Sequence, residues 1–208
     1  MIRGAAIVGI VLALAAPLAA QDVSPANEAA ARQALDTYGR CVAEREPAES
    51  ARIMAMDFRS PRYRTGLKLL SDEARRCARG VIDPGDAMRS SNLLFAGAVA
   101  ESLLEQGPDA VNVRLVRAAA TELAPFSASD AVAQCLARSV PDQVGTLFAA
   151  APGSAEEAAA IGALDPAMRP CVKAAGVEGR FEASAPGLRA MIATAAFRLV
   201  SQAEQTAK

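Results

Sequence analysis

Four cysteines are the residues of this chain whose type and spacing best suit a defined chemistry. Cys41 and Cys77 are 36 positions apart, and so are Cys135 and Cys171. The spacing is consistent with a disulfide within each pair, or with a swapped pairing such as Cys41–Cys135. A zinc site with four thiolate ligands is the other option, although the close C-x-x-C spacing typical of such sites is absent. We expect a bond within each pair, because a duplicated module would keep its internal disulfide.

Other residues offer little for catalysis. The chain has no histidine, which excludes Ser-His-Asp and Cys-His nucleophile systems and HExxH zinc sites. There is no GxxxxGK[ST] loop for phosphates, and neither Lys68 nor Lys173 lies in an SxxK pattern. We therefore predict no catalytic residue, no cofactor and no metal, and a protein that is not an enzyme.

Two carboxylate pairs, Asp72-Glu73 and Glu156-Glu157, have the residue type needed for acid–base catalysis. Each pair lies in the first turn of a predicted helix, where the helix dipole favours acidic side chains without any catalytic role. An enzyme that uses carboxylates alone is therefore kept only as the third functional hypothesis.

Basic side chains are concentrated in residues 52–79, which carry eight against three acidic ones, a net charge of +5. The corresponding stretch of the second half, 146–173, has a net charge of −1. Two aromatic residues, Phe58 and Tyr63, lie among these basic residues. The side chains that we predict to form an anion-binding or partner-binding surface are Arg59, Arg62, Arg64, Lys68, Arg75, Arg76 and Arg79.

That surface suits an acidic envelope protein, an anionic lipid or an acidic polymer, because arginine binds carboxylates and phosphates through several donors. The alternative is a solvated helix face in a chain with an arginine-rich composition. Nucleic acid is not expected as a partner, since the formal net charge of the whole chain is −1.

The elements that position these residues are predicted to be helices. Hydrophobic residues make up 52% of the chain, with alanine abundant, but aromatic residues only 4%, a composition that favours an all-α fold. Prolines and serines mark the expected helix starts. They predict a helix over 25–45, a helix over 109–124 and a final helix with apolar residues from Leu188 to Val200. Further helices are predicted to start at Pro47, at Pro61, at Ser71, at either Ser90 or Ser91, and at either Ser129 or Asp130.

An internal repeat appears when the second half is aligned to the first with an offset of 94 residues. Residues 41–90 and 135–184 then share ten identities in fifty positions, which is few for an alanine-rich chain. The matches include both cysteines, and four successive predicted helix starts fall in register: Pro47 with Pro141, Ser60 with Ser154, Ser71 with Asp165 and Ser90 with Ser184. We predict two tandem helical repeats of about five short helices each, with one disulfide per repeat; chance similarity is the alternative.

The predicted organisation also includes a signal peptide. Residues 1–20 have a positive start, a long apolar run and small residues before Gln21, as in a secretory signal, although an uncleaved anchor is the alternative. The predicted segments are the signal peptide (1–20), repeat 1 (21–107), a connecting helix (108–124), repeat 2 (125–200) and a frayed tail (201–208). We expect a periplasmic or secreted protein with no transmembrane span after signal cleavage.

The segment from Cys41 to Pro47, Cys-Val-Ala-Glu-Arg-Glu-Pro, resembles a motif of uncharacterised exported helical proteins of sphingomonad-like alphaproteobacteria. A second cysteine about 36 residues later and a following Ala- and Leu-rich helix add to the resemblance. The second half keeps the Cys135-to-Pro141 spacing but has Ser139 where the motif has arginine. The resemblance implies export and a helical fold, and no activity.

Three functions follow in order of preference. The first is a non-catalytic exported helical protein with a structural or interaction role, stabilised by disulfides. The second is a periplasmic protein that binds a small anionic or lipid-like ligand in a groove between helices, with basic residues of repeat 1 at its head group. The third is the carboxylate-based enzyme. The oligomeric state is not predicted.

Overall fold

A computed structural model describes residues 25–73, 75–79 and 91–207 of the chain. The predicted signal peptide and the Ser90 position lie outside these residues. Within them the secondary structure consists of eleven α-helices and no β-strand, so the predicted all-α class is confirmed. The helices are α1 (Pro25–Arg45), α2 (Pro47–Met54), α3 (Pro61–Glu73), α4 (Arg75–Ala78), α5 (Asn92–Glu105), α6 (Val111–Ala118), α7 (Ala128–Ser139), α8 (Pro141–Ala149), α9 (Ala155–Gly162), α10 (Asp165–Ala174) and α11 (Ala185–Thr206).

Most helix starts have a clear local cause. Helices α2 and α8 begin at Pro47 and Pro141. Proline has no backbone N–H, and the N–H at the first position of a helix has no partner within the helix, so proline is well tolerated there. The hydroxyls of three serines, Ser91, Ser154 and Ser184, accept from backbone N–H groups in the first turns of α5, α9 and α11. These starts agree with the sequence prediction.

Ser71 does not start a helix, which corrects one prediction. Helix α3 continues through it to Glu73, and the Ser71 hydroxyl donates back to the Lys68 carbonyl at 2.8 Å. The Ser71 carbonyl itself accepts from the Tyr38 hydroxyl at 3.1 Å. The residue therefore lies inside a helix and is hydrogen-bonded to α1, and its hydroxyl has no free first-turn N–H to accept from.

The start of α7 also differs from the prediction. Ser127 is the capping residue, with its hydroxyl accepting from Asp130 N at 3.2 Å, so the helix begins at Ala128, ahead of the predicted Ser129 or Asp130. Asp130 sits in the first turn and accepts from the backbone N–H of Phe126 at 2.8 Å. The two side chains thus satisfy N–H groups on both sides of the helix start.

The predicted connecting helix is shorter and differently oriented than expected. It spans Val111–Ala118, and its buried residues are Arg114, Leu115 and Ala118. Val113 and Val116, two of its apolar residues, are 39% and 57% exposed. Arg114 is buried because its guanidinium donates to the Leu104 carbonyl, a partner that no local pattern reveals.

Residues 201–206, which we expected to fray, continue α11. Ala203 packs against the core, and Glu204 accepts from Arg114 Nε at 2.9 Å. These contacts accompany a helix that extends beyond its apolar segment to Thr206.

The centre of the fold is the contact between α5 and α11, with α1 covering α5 and α7 covering α11. Small residues allow the helices to approach closely. A Cβ added at Gly97 on α5 would collide with Ala190 on α11, and one added at Gly39 on α1 would lie 2.5 Å from the Cβ of Ala98. The core is therefore built from close backbone contacts and aliphatic side chains, as the low aromatic content requires.

Both disulfides form within the predicted pairs. Cys41–Cys77 joins α1 to α4 with a Cα–Cα distance of 5.7 Å, and Cys135–Cys171 joins α7 to α10 at 5.4 Å. All four cysteines are thereby bonded, so the swapped pairing and the zinc site are excluded. Among the described residues five helices precede α6 and five follow it, and each disulfide joins the first and fourth helix of its set.

A buried ionic network connects helices that are distant in sequence. Arg189 on α11 pairs with Glu101 on α5, where Nε to Oε2 is 2.9 Å, and with Glu157 on α9 at 3.1 Å. It also donates to two backbone carbonyls at the end of α8. Arg32 on α1 binds the same Glu157 at 2.6 Å. This network fixes α1, α5, α9 and α11 relative to one another.

Burial sets the protonation behaviour of this network. It raises the pKa of Glu101 to about 7, because desolvation of the carboxylate outweighs the attraction of Arg189. Glu157 has the opposite balance: its burial is offset by the Gly153 N–H and the Arg32 guanidinium, which lower its pKa. Glu101 is therefore the carboxyl group of this network that gains a proton near neutral pH.

None of the helices in the described ranges is long and apolar enough to cross a membrane.

Loss of either disulfide is expected to destabilise the fold substantially. Each bond closes a 36-residue separation, for which the chain-entropy model gives about 4 kcal/mol. We expect Cys41→Ser/Cys77→Ser and Cys135→Ser/Cys171→Ser each to lower the free energy of unfolding by roughly 3–4 kcal/mol in guanidinium titrations. Losses below about 1 kcal/mol would show that the bonds do not constrain the unfolded chain as the entropy model requires.

Stability should also depend on the protonation of Glu101. Its pKa in the folded state lies above the ordinary value of 4.5, so its stabilising contribution is fully present below pH 4.5 and is lost as the pH rises through 7. The Glu101→Gln substitution should remove this dependence. We expect the free energies of unfolding of wild type and variant to diverge by roughly 2–3 kcal/mol between pH 4.5 and 8, measured by urea titration, with Glu105→Gln as the control on the same helix.

Candidate functional site

A cavity of about 300 Å³ lies where the α2–α3 corner meets the N-terminal ends of α5 and α7 and one face of α11. This volume is at the lower end of the range of roughly 300–1,000 Å³ that is typical of small-molecule sites. The side chains that line it are Met54, Met56, Phe58, Tyr63, Arg64, Asn92, Leu93, Ser129, Asp130, Met191, Thr194 and Arg198.

Helical periodicity explains the wall contributed by α11. Met191, Thr194 and Arg198 are separated by three and four residues and therefore share one face. The Thr194 hydroxyl donates to the carbonyls of Ala190 and Met191 at 3.1 and 3.0 Å, so its hydrogen bonding is satisfied within the helix. This wall is apolar at one end and cationic at the other.

The opposite wall is the corner between α2 and α3. The Met56 N–H donates to the Ile53 carbonyl at 3.0 Å as α2 ends, and Ser60 caps α3 by accepting from Tyr63 N at 3.1 Å. Between them Asp57 accepts from the Arg59 backbone N–H at 2.9 Å. These local bonds hold the corner in the shape that places Met56, Phe58 and Tyr63 at the cavity.

Methionines form much of the apolar lining. Met54, Met56 and Met191 are three of the six methionines in the chain. Their side chains are unbranched and flexible, so a methionine-lined wall adapts to the shape of an apolar guest. Leu93, at 39% exposure, lies in the lining at the start of α5.

Arg198 is the main polar group of the cavity. It is only 5% exposed, its Nη2 pairs with Asp130 Oδ1, and its guanidinium carbon lies 4.4 Å from the centre of the Phe126 ring. Its Nη1 is buried and has no hydrogen-bond partner among the described residues. A buried donor without a partner costs roughly 1–3 kcal/mol, more for a charged group. The cavity is therefore bordered by a cation that Asp130 holds in place.

Asp130 is fully engaged and holds Arg198 in place. Its Oδ2 accepts from Phe126 N at 2.8 Å and from Gln134 Nε2 at 3.1 Å, while Oδ1 pairs with Arg198. Three donors share its two oxygens, which makes it an orienting partner and a poor candidate for a general base.

The other polar groups of the lining favour an anion. Burial raises the pKa of Tyr63 to about 12, so its hydroxyl remains a protonated donor at neutral pH. Arg64 is exposed and forms no ion pair with a described residue. The charged lining residues Arg64, Arg198 and Asp130 give a net charge of +1. Ser129, in the first turn of α7, adds the positive end of a 12-residue helix.

The predicted basic surface and this cavity overlap at one residue, Arg64. Arg59 is paired with Asp57 at 2.8 Å, and its guanidinium is thereby engaged in the loop. Arg62, Lys68, Arg76 and Arg79 are exposed and do not line the cavity. Arg75 begins α4, and its side chain lies outside the part of the chain that the structure describes. The four cysteines are structural and do not line the cavity.

Sequence reasoning missed Arg198, Asp130 and the three methionines. Met191 was expected to be part of the apolar face of the last helix, and Asp130 to start a helix. One signal was present for Arg198: it lies directly before the apolar pair Leu199-Val200, seven positions after Met191. A charged residue on an apolar helical face is a reason to look for a buried partner.

Metal ions have no evident place in the described part of the chain. No three histidine, cysteine, aspartate or glutamate side chains there are arranged to hold one. A smaller cavity of about 50 Å³ lies beside the Arg189 network, where the Arg189 guanidinium is already engaged by its carboxylate and carbonyl partners. The cavity with Arg198 is therefore the stronger candidate for a functional site.

Comparison with known proteins gives no further information on this site. No protein-family model matches the chain, no curated protein matches it, and no solved structure matches it. The geometry of the cavity is therefore the main basis for a functional inference.

The Arg198–Asp130 pair should be important for stability as well. Arg198→Met would leave the Asp130 carboxylate buried without its counter-charge, and breaking such a pair costs roughly 3–5 kcal/mol. We expect a loss of about 3 kcal/mol in urea unfolding, against less than about 0.5 kcal/mol for the exposed Arg64→Gln. Equal, small losses in the two variants would show that the buried pair is not intact in solution.

Proposed function

We propose that this protein is a non-catalytic binding protein that holds a small amphiphilic anion in the cavity between α2–α3 and α11. The observation that carries the proposal is a largely apolar cavity of about 300 Å³ whose lining includes the buried guanidinium of Arg198 and the exposed one of Arg64. An anionic group would lie beside these two cations, while an apolar body would displace water from the methionine wall.

The chemistry of the lining supports binding without turnover. Its charged groups are two arginines and one aspartate, and both oxygens of that aspartate are already hydrogen-bonded. Arginine remains protonated and is suited to holding an anion, and poorly suited to proton transfer. The lining thus contains donors for an anion and no free general base or nucleophile in an activating arrangement.

The setting that we propose is the periplasm or the cell exterior. Two disulfides persist most readily in an oxidising compartment, and the apolar N-terminal segment is of the kind that directs export. A helical binding protein in that setting would meet free amphiphiles released from the cell envelope or taken up from outside.

We further propose that the scaffold arose by duplication of a five-helix unit. In support, an offset of 94 relates the cysteines, the prolines that begin α2 and α8, and the serines that cap α3 and α9. The caps of α5 and α11, Ser91 and Ser184, differ from this offset by one residue. The cavity draws residues from both proposed units, so a binding site of this kind would be a product of the duplicated form.

The exposed basic residues of α3 favour an additional surface role. Arg62 and Lys68 are exposed and form no ion pair with a described residue. Together with Arg64 they give the first two turns of α3 a positive outer side, which would suit an acidic envelope partner or an anionic lipid surface. The surface interaction and the binding of a ligand in the cavity would both use α3, and the two proposed roles are compatible.

Binding can be tested with 1-anilinonaphthalene-8-sulfonate, a fluorescent probe with an apolar body and one negative charge. We expect saturable binding by the folded protein, weakened roughly three- to fivefold by Arg64→Gln because a cationic lining residue is lost. The matched control is Arg62→Gln, which removes an exposed arginine of the same helix that does not line the cavity.

A second pair of variants, at apolar residues, tests the apolar part of the cavity lining in the same titration. Leu93→Ala removes part of the cavity wall and should weaken probe binding, whereas Val116→Ala removes an exposed apolar side chain on α6, which does not line it. Absence of saturable binding, or equal effects in both members of each pair, would refute the proposed site.

A further inference from the structure

We propose that the rim of this cavity docks on an anionic lipid bilayer, with the exposed cations of α3 at the phospholipid head groups and two apolar side chains in the interface. The rim is formed by the exposed lining residues Phe58, Arg64, Asn92 and Leu93. This inference rests on the surface role proposed above for α3 and commits that role to one partner, a bilayer with negative charge.

Exposed apolar side chains gather at the rim. Among the residues that the structure describes, five large hydrophobic side chains are exposed, and two of them, Phe58 at 36% and Leu93 at 39%, line this cavity. Phe58 lies in the corner between α2 and α3, and Leu93 lies at the start of α5. Insertion of the rim into a bilayer interface would remove both side chains from water together.

Phe58 is held on a fixed corner. Its ring packs edge-on against Phe126 with the ring centroids 5.7 Å apart. The neighbouring Asp57 accepts from the Arg59 backbone N–H at 2.9 Å and pairs with the Arg59 guanidinium at 2.8 Å, so these two charges neutralise each other. An apolar side chain on a fixed corner loses little conformational freedom when it enters an interface, which favours its insertion.

The cations beside the rim lie along α3. Arg64 and Lys68 are four residues apart and share one side of this helix, and Arg62 lies in its first turn. All three are exposed, and none forms an ion pair with a described residue. The formal net charge of the whole chain is −1, so attraction to an anionic surface has to come from a local group of cations. The cations of α3 therefore determine which side of the molecule faces a bilayer.

The second half of the chain has a similar corner without these side chains. At the offset of 94 residues, α3 begins at Pro61 and α9 at the equivalent Ala155. The other equivalent pairs are Phe58 with Pro152, Arg62 with Glu156, Arg64 with Ala158 and Lys68 with Gly162. A helix thus starts at this position without the cations and without the exposed ring, which leaves those residues available to bind a partner.

The apolar part of the rim favours a bilayer over an acidic protein. An acidic protein surface would match the cations of α3, but its charged side chains would be poor neighbours for Phe58 and Leu93. A bilayer provides phosphate groups for the cations and, directly beneath them, an apolar layer for these two side chains. The cavity would then open toward that layer, and an amphiphile would pass between the bilayer and the methionine wall without crossing bulk water.

Insertion of the rim can be measured with single-tryptophan variants of the exported protein, because the chain contains no tryptophan. The vesicles contain equal parts of phosphatidylcholine and phosphatidylglycerol, and vesicles of phosphatidylcholine alone are the neutral comparison. With the anionic vesicles we expect the emission of Leu93→Trp and of Phe58→Trp to shift to shorter wavelength and to be quenched by brominated acyl chains.

The control for position is Val116→Trp, which places the tryptophan on the exposed side of α6, away from the rim. Its emission should not change with either kind of vesicle. Binding through the apolar residues 1–20 would not move the signals at positions 58 and 93. Unchanged emission of both rim variants in the presence of the anionic vesicles would overturn the proposal.

Charge variants test the role of α3 by co-sedimentation with the same vesicles. The triple variant Arg62→Gln/Arg64→Gln/Lys68→Gln should weaken binding roughly 100-fold, because each basic residue near an anionic surface contributes roughly a fivefold factor. The matched control, Arg169→Gln/Lys173→Gln/Arg180→Gln, removes the same charge from exposed residues of the second half and should weaken binding less than about twofold. Equal losses in the two variants would show that the total charge, and not this surface, drives binding.

Two further outcomes separate the alternatives. If soluble poly-glutamate binds through the cations of α3 and the vesicles do not bind, the surface recognises an acidic chain and the lipid assignment is wrong. If 1-anilinonaphthalene-8-sulfonate binds saturably without vesicles and the vesicles do not bind, ligand binding in the cavity stands and this inference fails. If the vesicles bind through the rim and the probe does not bind, the docking surface stands and the proposed ligand-binding function fails.

Discussion

The arrangement of this protein depends on how Arg189 is held. This one guanidinium binds Glu101 on α5, Glu157 on α9 and two carbonyls at the end of α8, all in a buried setting. A buried charge with such complete pairing is costly to displace, because any shift of α11 would leave one of its partners unsatisfied. Arg198 follows nine residues later, about 13 Å along the same helix axis. The position of the candidate site is therefore fixed by ionic contacts made elsewhere on α11.

The two buried arginines of α11, Arg189 and Arg198, differ in their hydrogen bonding and in their surroundings. Arg189 has partners for all of its nitrogens, and its surroundings contain a cavity of only about 50 Å³. Arg198 keeps one nitrogen without a partner beside a cavity about six times larger. A fully paired buried arginine connects helices, whereas Arg198 pairs with one aspartate and also borders the larger cavity. The size of the neighbouring cavity distinguishes the candidate site.

Local rules predicted much of the framework from the sequence. Proline and serine at helix starts located α2, α5, α9 and α11, and the cysteine spacing indicated the correct disulfides. The failures have a common cause in contacts between residues far apart in the chain. Arg114 is buried because of Leu104 and Glu204, and Arg198 because of Asp130, 68 residues away. Periodicity shows which face of a helix is apolar, but it does not show which charged residue will find a buried partner. Arg64 was among the predicted anion-binding residues, yet the cavity beside it forms only when α2, α3, α7 and α11 come together.

The two disulfides have the same spacing but enclose different parts of the molecule. The loop between Cys41 and Cys77 contains Met54, Met56, Phe58, Tyr63 and Arg64, so one whole wall of the cavity belongs to a covalent ring. The loop between Cys135 and Cys171 contains none of the lining residues. The wall from α2 and α3 can therefore separate from α11 only as a ring that remains anchored to α1, which limits the ways in which a guest can enter or leave. In a reducing environment the Cys41–Cys77 bond would break, and the segment that carries this wall would keep only its main-chain connection to α1.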